Sequence, residues 1–112
     1  MFLVSGVDLV SAVCAAGVVG AFPTVNCRTS DELENWLTEI ETRLAKIVEQ
    51  NGDPVAPWCS NLIVHHSNAR LKDDLAVLLR HKPEIVITSV GSPAPVVEPL
   101  HDAGALVLAD VA

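Results

Sequence analysis

The sequence predicts a parallel α/β fold, and three observations carry the prediction. Short apolar runs alternate four times with polar tips and helical stretches, at Phe2–Val4, Val18–Phe22, Leu62–Val64 and Ile85–Ile87. A fifth run, Leu106–Leu108, has only four residues behind it and no helix. Half of the 112 residues are hydrophobic, yet two Phe, two Trp and no Tyr supply the rings, so Ala, Val and Leu fill the core. Aliphatic filling of this kind suits parallel strands buried on both faces. In such sheets ligands gather beyond the C-terminal ends of the strands, which places the tips on the candidate ligand face.

The elements follow in order. Phe2–Val4 reads as the first strand, with Ser5-Gly6 as its tip. A first helix near Val7 to Ala16 carries Leu9, Val10, Val13 and Cys14 at helical spacing, and Gly17 supplies its stop. Val18–Phe22 is the second strand, and Pro23-Thr24-Val25-Asn26 its tip. The second helix has the clearest stripe, formed by Leu33, Trp36, Leu37, Ile40, Leu44, Ile47 and Val48. Thr29 and Glu32 resemble a capping box at its start, and Asn51-Gly52-Asp53-Pro54 breaks it. Pro54 to Trp58 reads as a loop into the third strand, Leu62–Val64.

Asn68 is placed to cap a third helix, with Leu71, Leu75, Leu78 and Leu79 as its buried side. Arg80, His81 and Lys82 fall in its last turn, where positive charge complements the helix dipole, and Pro83 closes it. After the fourth strand, Ser92-Pro93 is an N-cap followed by a favoured first-turn proline. The helix behind it holds Pro95 and Pro99 and ends at Gly104. No linker composition divides residues 1–112, which read as one unit. An open doubly wound sheet and a barrel look alike over four repeats. A complete barrel takes about 250 residues, so length alone favours the open sheet.

Composition narrows the function classes. Fourteen acidic residues against seven Lys plus Arg give a formal charge of −7, which disfavours nucleic acid and anionic membrane as partners. Much of the acidity is one solvated helix face: Asp31, Glu32, Glu34, Glu39, Glu41 and Glu49 against Arg43 and Lys46. Cys14, Cys27 and Cys59 are odd in number and lack CxxC spacing, so a disulfide framework and a zinc ribbon are not expected. A reducing cytoplasm is the expected location. Met1 to Ala21 is apolar but has no basic start and is interrupted by Asp8, so it reads as folded elements rather than an export signal. No uninterrupted run reaches the ~20 apolar residues of a membrane span.

The tips hold the candidate chemistry. Asn61 opens Asn61-Leu62-Ile63-Val64, and its amide can donate and accept toward a planar heterocycle, or it can simply end the preceding turn. His65 and His66 are adjacent; in a strand they would point to opposite faces and would not share a metal. Thr88-Ser89-Val90-Gly91-Ser92-Pro93 is a strand, a small-residue turn and a helix start, able to present N–H groups to a carbonyl or anion. It lacks the P-loop and GxGxxG spacings, and Ser89 lacks the G-x-S-x-G elbow of a nucleophile. Asp110 ends the fifth strand, facing either the site or solvent. These residues define a ligand face without a self-evident catalytic set.

Taken in order, the segments resemble a known family. Met1-Phe2-Leu3-Val4-Ser5-Gly6, then Leu9-Val10-Ser11-Ala12-Val13-Cys14-Ala15-Ala16-Gly17-Val18-Val19-Gly20, is similar to the opening of nitronate monooxygenases, formerly 2-nitropropane dioxygenases. The likeness continues through Asn61-Leu62-Ile63-Val64, Ile87-Thr88-Ser89-Val90-Gly91-Ser92-Pro93 and His101-Asp102-Ala103-Gly104, across essentially the whole chain.

That resemblance implies the N-terminal half, about four βα units plus a strand, of an FMN-dependent TIM (β/α)₈ barrel. It places Met1, Asn61, Ser89 and Gly91 beside the flavin, and it places Gly17 and Gly20 in a turn packed closely against the second strand. It names no catalytic residue here: His65, His66, His81 and His101 do not match the family's catalytic histidine, and neither its loop nor the phosphate-binding loops have a counterpart. The implied reaction is oxidation of an alkyl nitronate through flavin, with molecular oxygen as reoxidant. Enoyl and quinone reductases that use NAD(P)H share this architecture. An inactive truncated product and a small open-sheet binding domain are the readings outside that class. A half-barrel exposes unpaired strand edges, so self-association is expected.

Overall fold

A computed structural model describes residues 3–110. Helix α1 spans Val7–Ala15, strand β1 Gly20–Pro23, helix α2 Ser30–Asn51 and strand β2 Trp58–Ile63. Helix α3 (Leu71–Arg80), strand β3 (Ile85–Ser89), helix α4 (Ala94–Asp102) and strand β4 (Leu106–Ala109) follow. A 3₁₀ turn, Thr24–Asn26, leads from β1 toward α2.

All four strands are parallel and lie in the order β1-β2-β3-β4. This order decides the architecture. Crossovers between parallel strands are right-handed as a rule, so adding every new strand on the same side puts every crossover helix on the same face. A doubly wound sheet must reverse its strand order to cover both faces. Here the order never reverses, which is the arrangement of a parallel barrel wall. The length argument for an open sheet therefore gives way to topology.

Burial follows the pleat. Phe22, Leu62 and Val86 point to the helices and join Val10, Leu33, Leu37, Ile40, Leu78, Val96 and Leu100 in the core. The Phe22 and Trp36 rings meet at 5.6 Å, pinning α2 to β1. By alternation the opposite face carries Ala21, Pro23, Asn61, Ile63, Ile85, Ile87, Leu106 and Leu108, all half-buried or exposed, while Cys59 on the same face is buried. The expectation of strands covered on both faces thus holds on one side only among the described residues.

Helix α2 forms where its stripe and cap require. The Glu32 N–H donates to Thr29 Oγ1 at 3.1 Å, but the Glu32 carboxylate accepts from Arg28 N–H rather than closing the box on Thr29. The helix runs through Asn51 and stops at Gly52, whose φ of 74° is left-handed backbone that glycine adopts without strain.

Other expectations need correction. Leu3 and Val4 form a turn instead of a strand, because Asn26 holds this segment: its Oδ1 accepts from Leu3 N–H at 2.7 Å, and its Nδ2 donates to Ser5 O at 2.9 Å. Phe2 and Met1 lie outside the described residues. Val18 and Val19 are exposed ahead of β1, while β2 begins at Trp58, earlier than expected, through pairing with Gly20. Asn68 caps the turn before α3, its Oδ1 accepting from Arg70 N–H at 3.1 Å and its Nδ2 donating to Ile63 O at 2.8 Å. His81 does more than complement a dipole: its ring nitrogens lie 3.0 Å from Glu41 Oε1 and 2.9 Å from Glu34 Oε2, tying α3 to α2.

Candidate functional site

The C-terminal ends of β2, β3 and β4 bring three polar side chains together. Asn61 sits inside β2, paired with Pro23 on one side and Ile87 on the other, so it does not end a turn. Ser89 is two residues beyond Ile87 on the same face of β3, and it pairs with Ile63. Its hydroxyl donates to Asn61 Oδ1 at 3.0 Å and lies 3.5 Å from Asp110 Oδ2. Asp110 follows β4 and is kept in register by its backbone N–H, which donates to Thr88 O at 2.8 Å. Asp110 therefore faces the site.

Chemical polarity follows from these contacts. Ser89 has one proton, and both of its neighbours offer oxygen acceptors. Donation to Asn61 Oδ1 fixes the amide so that its NH₂ is left for another acceptor. Around this polar set lie Pro23, Ile63, Ile87 and Leu108, an apolar floor at the strand ends. A flat heterocycle with a polar edge fits such a floor, so the residues present suit the ring of a flavin.

The turn after β3 is conformationally strained. Val90 has φ 61° and Gly91 φ 132°. Positive φ is a genuine outlier for a β-branched residue, and strain of this kind concentrates at functional sites. A Cβ on Gly91 would meet Val64 and His65 at ordinary contact distances of 3.7 and 3.8 Å, so backbone conformation rather than space calls for glycine. Gly20 differs: its Cβ would lie 2.7 Å from Val10 O, because β1 packs directly on α1.

His65 and His66 sit in a bend and turn beyond β2. Their rings meet at a centroid separation of 4.1 Å, tilted by 34°, instead of pointing to opposite faces. His65 Nδ1 accepts from Ser67 N–H at 3.1 Å and contacts Ser67 Oγ at 2.7 Å. Among the described residues no His, Cys, Asp and Glu group forms a metal site. Cys59 is two residues before Asn61 on the same face. Burial pushes its thiol up to about 11, so it is no ready nucleophile.

The site lies on an open sheet face. Cavities of about 450 Å³ open elsewhere, one beside α1 and α2 at Gly6, Trp36 and Arg43, another between α3 and α4 at Leu75, Pro95 and Val96. The family resemblance pointed to Asn61, Ser89 and Gly91, the last two also through their place in the tip after the fourth expected strand, and Met1, the remaining flavin neighbour it implied, lies outside the described residues. What it missed is the anchoring of the tips from behind. Arg70 donates to Cys27 O at 2.6 Å and to the buried Asp74 at 3.0 Å, and Ser30 Oγ donates to the same Asp74 oxygen at 2.7 Å. An Arg and Asp one helical turn apart were the available signal.

No family model matches the sequence, and no curated protein matches it. Solved structures do. The chain superposes on FabK from Thermotoga maritima with a TM-score of 0.77 and 22% identity, covering 96% of this chain and 30% of that one. A point mutant of the same protein gives a TM-score of 0.80 at 22% identity, covering 100% of this chain and 34% of the other. The chain thus spans about a third of the length of these structures, and the likeness establishes its fold as a four-stranded portion of a parallel α/β barrel.

Proposed function

We propose that this chain forms one wall of the flavin site of an FMN-dependent oxidoreductase, of the nitronate monooxygenase type. The observation that carries the reading is the hydrogen-bonded set Asn61, Ser89 and Asp110 on the uncovered face of a consecutively ordered parallel sheet. Bound there, FMN would supply the electron transfer from an alkyl nitronate, with molecular oxygen as reoxidant. The chain's own residues hold and orient. Asn61 offers NH₂ hydrogens to a ring acceptor, Ser89 fixes that amide, and Gly91 lets the backbone after β3 turn away from the ring. The apolar residues around them exclude water from one side of it.

A second reading keeps the same site in an NAD(P)H-dependent enoyl or quinone reductase, and the superposition on FabK favours carrying it. The test is to load the purified chain with FMN, remove free flavin and measure retained flavin absorbance. Retention above that of an Asn61→Ala variant is expected, and none above buffer overturns the reading. Anaerobic bleaching of retained flavin by an alkyl nitronate supports the first activity. Bleaching by NAD(P)H instead supports the second.

A further inference from the structure

We infer that Asp110 is a specificity residue, reading an N–H on the ligand edge that Asn61 reads through a neighbouring carbonyl. The inference rests on the flavin reading and adds to it a polarity requirement. Ser89 lies between the two outer groups and satisfies Asn61 Oδ1 at 3.0 Å, the shorter of its two contacts. That leaves Asn61 Nδ2 as a donor, and it leaves the Asp110 carboxylate with acceptor capacity that no described residue fills at hydrogen-bond distance other than Ser89. One hydroxyl therefore separates a free donor from a free acceptor.

The complementary ligand edge carries a carbonyl beside an N–H, which is an imide or lactam. The pyrimidine end of an isoalloxazine, where N3–H lies between two carbonyls, is such an edge. Anions fit poorly, because a phosphate or nitronate placed against this set would meet the Asp110 carboxylate without a described cation to offset it. The cluster thus holds the edge of a neutral ring, and an anionic substrate must approach from elsewhere. Asp110 is suited to this task by position: it is exposed, and its backbone is fixed by the bond to Thr88.

The experiment compares riboflavin with 3-methylriboflavin, which carries a methyl group in place of the N3 hydrogen, by fluorescence titration of the full chain and of Asp110→Ala. In the unmodified chain the methylated flavin should bind about tenfold or more weaker, as expected for a lost hydrogen bond to a charged acceptor. Asp110→Ala should weaken riboflavin and bring the two flavins level. Asp110→Asn, which keeps an oxygen acceptor of nearly the same shape, should restore part of the preference. Equal binding by the unmodified chain, or a preference that survives Asp110→Ala, overturns the inference and leaves the flavin reading standing. Absence of riboflavin binding overturns both.

Discussion

Asp74 is buried to 1% exposure and shared by Arg70 and Ser30, so it fixes the start of α3 against the start of α2. Asp74→Ala should destabilise the chain by about 2–4 kcal/mol in urea unfolding, because it strands a half-buried guanidinium. Arg70 can swing its charge toward water and Asp74 cannot, so Arg70→Met, which strands the buried carboxylate, should cost more. A buried thiol gives a second prediction. Burial pushes Cys27 up to about 12 from its ordinary value of 9.0, with nearby Glu32 adding to the rise. The unfolded chain therefore releases this proton first as pH climbs. The stability Cys27 contributes is full below pH 9.0 and is lost as pH rises toward about 12. Unfolding measured across that window should steepen by up to about 1.4 kcal/mol per pH unit, and Cys27→Ala should remove its share of the slope. At this scale the sequence was legible for Ser89, a polar residue in a strand tip, and for Asn61 through its amide at the opening of a strand and the family resemblance. Their joining to each other and to Asp110 was not, since Asn61–Ser89 spans 28 residues and Ser89–Asp110 spans 21, and both depend on strand register.

Glycines set two elements for different reasons, and substitution separates them. Gly20→Ala places a Cβ 2.7 Å from a backbone oxygen of α1, so β1 and α1 must part. Gly52→Ala meets nothing within 4 Å and suffers only from its φ of 74°. Urea unfolding should show a loss of about 2–3 kcal/mol for the first and about 1 kcal/mol for the second. Equal losses would mean that β1 does not pack on α1 as described. Helix α2 was legible because its stripe, its Thr29 cap and Gly52 agree with one another. Strand bounds were less so. Trp58 to Ser60 follow a proline-rich stretch and show no alternation that marks a strand; pairing with Gly20 to Phe22 on one side, and of Cys59 and Ser60 with Ile85 and Val86 on the other, makes them one. Leu3 and Val4 look like a strand but are claimed by Asn26.

Across the whole molecule, consecutive strand order leaves one sheet face and the outer edge of β4 without cover among the described residues. Leu106 and Leu108 are 56% and 48% exposed there. An exposed apolar edge strand is a template for pairing, so the chain should self-associate with rising concentration in sedimentation velocity. Leu108→Lys should shift it toward monomer; a monomer at every concentration without that change would contradict the prediction. No helix among the described residues is long and apolar enough to cross a membrane. Repetition of strand, tip and helix made the parallel class legible, and the ordered family resemblance implied the barrel. Residue patterns could not choose between barrel and open sheet, because that choice lies in strand order, which no single segment encodes.

The central claim is that Asn61, Ser89 and Asp110 form the polar edge of a flavin site on the open face. Fluorescence titration of FMN against the chain, beside Asn61→Ala with circular dichroism confirming that both are folded, tests it most directly. Saturable quenching by the unmodified chain, weakened about tenfold or more in Asn61→Ala, is the predicted result. Unchanged flavin fluorescence with the folded chain, or equal quenching by both proteins, would contradict it.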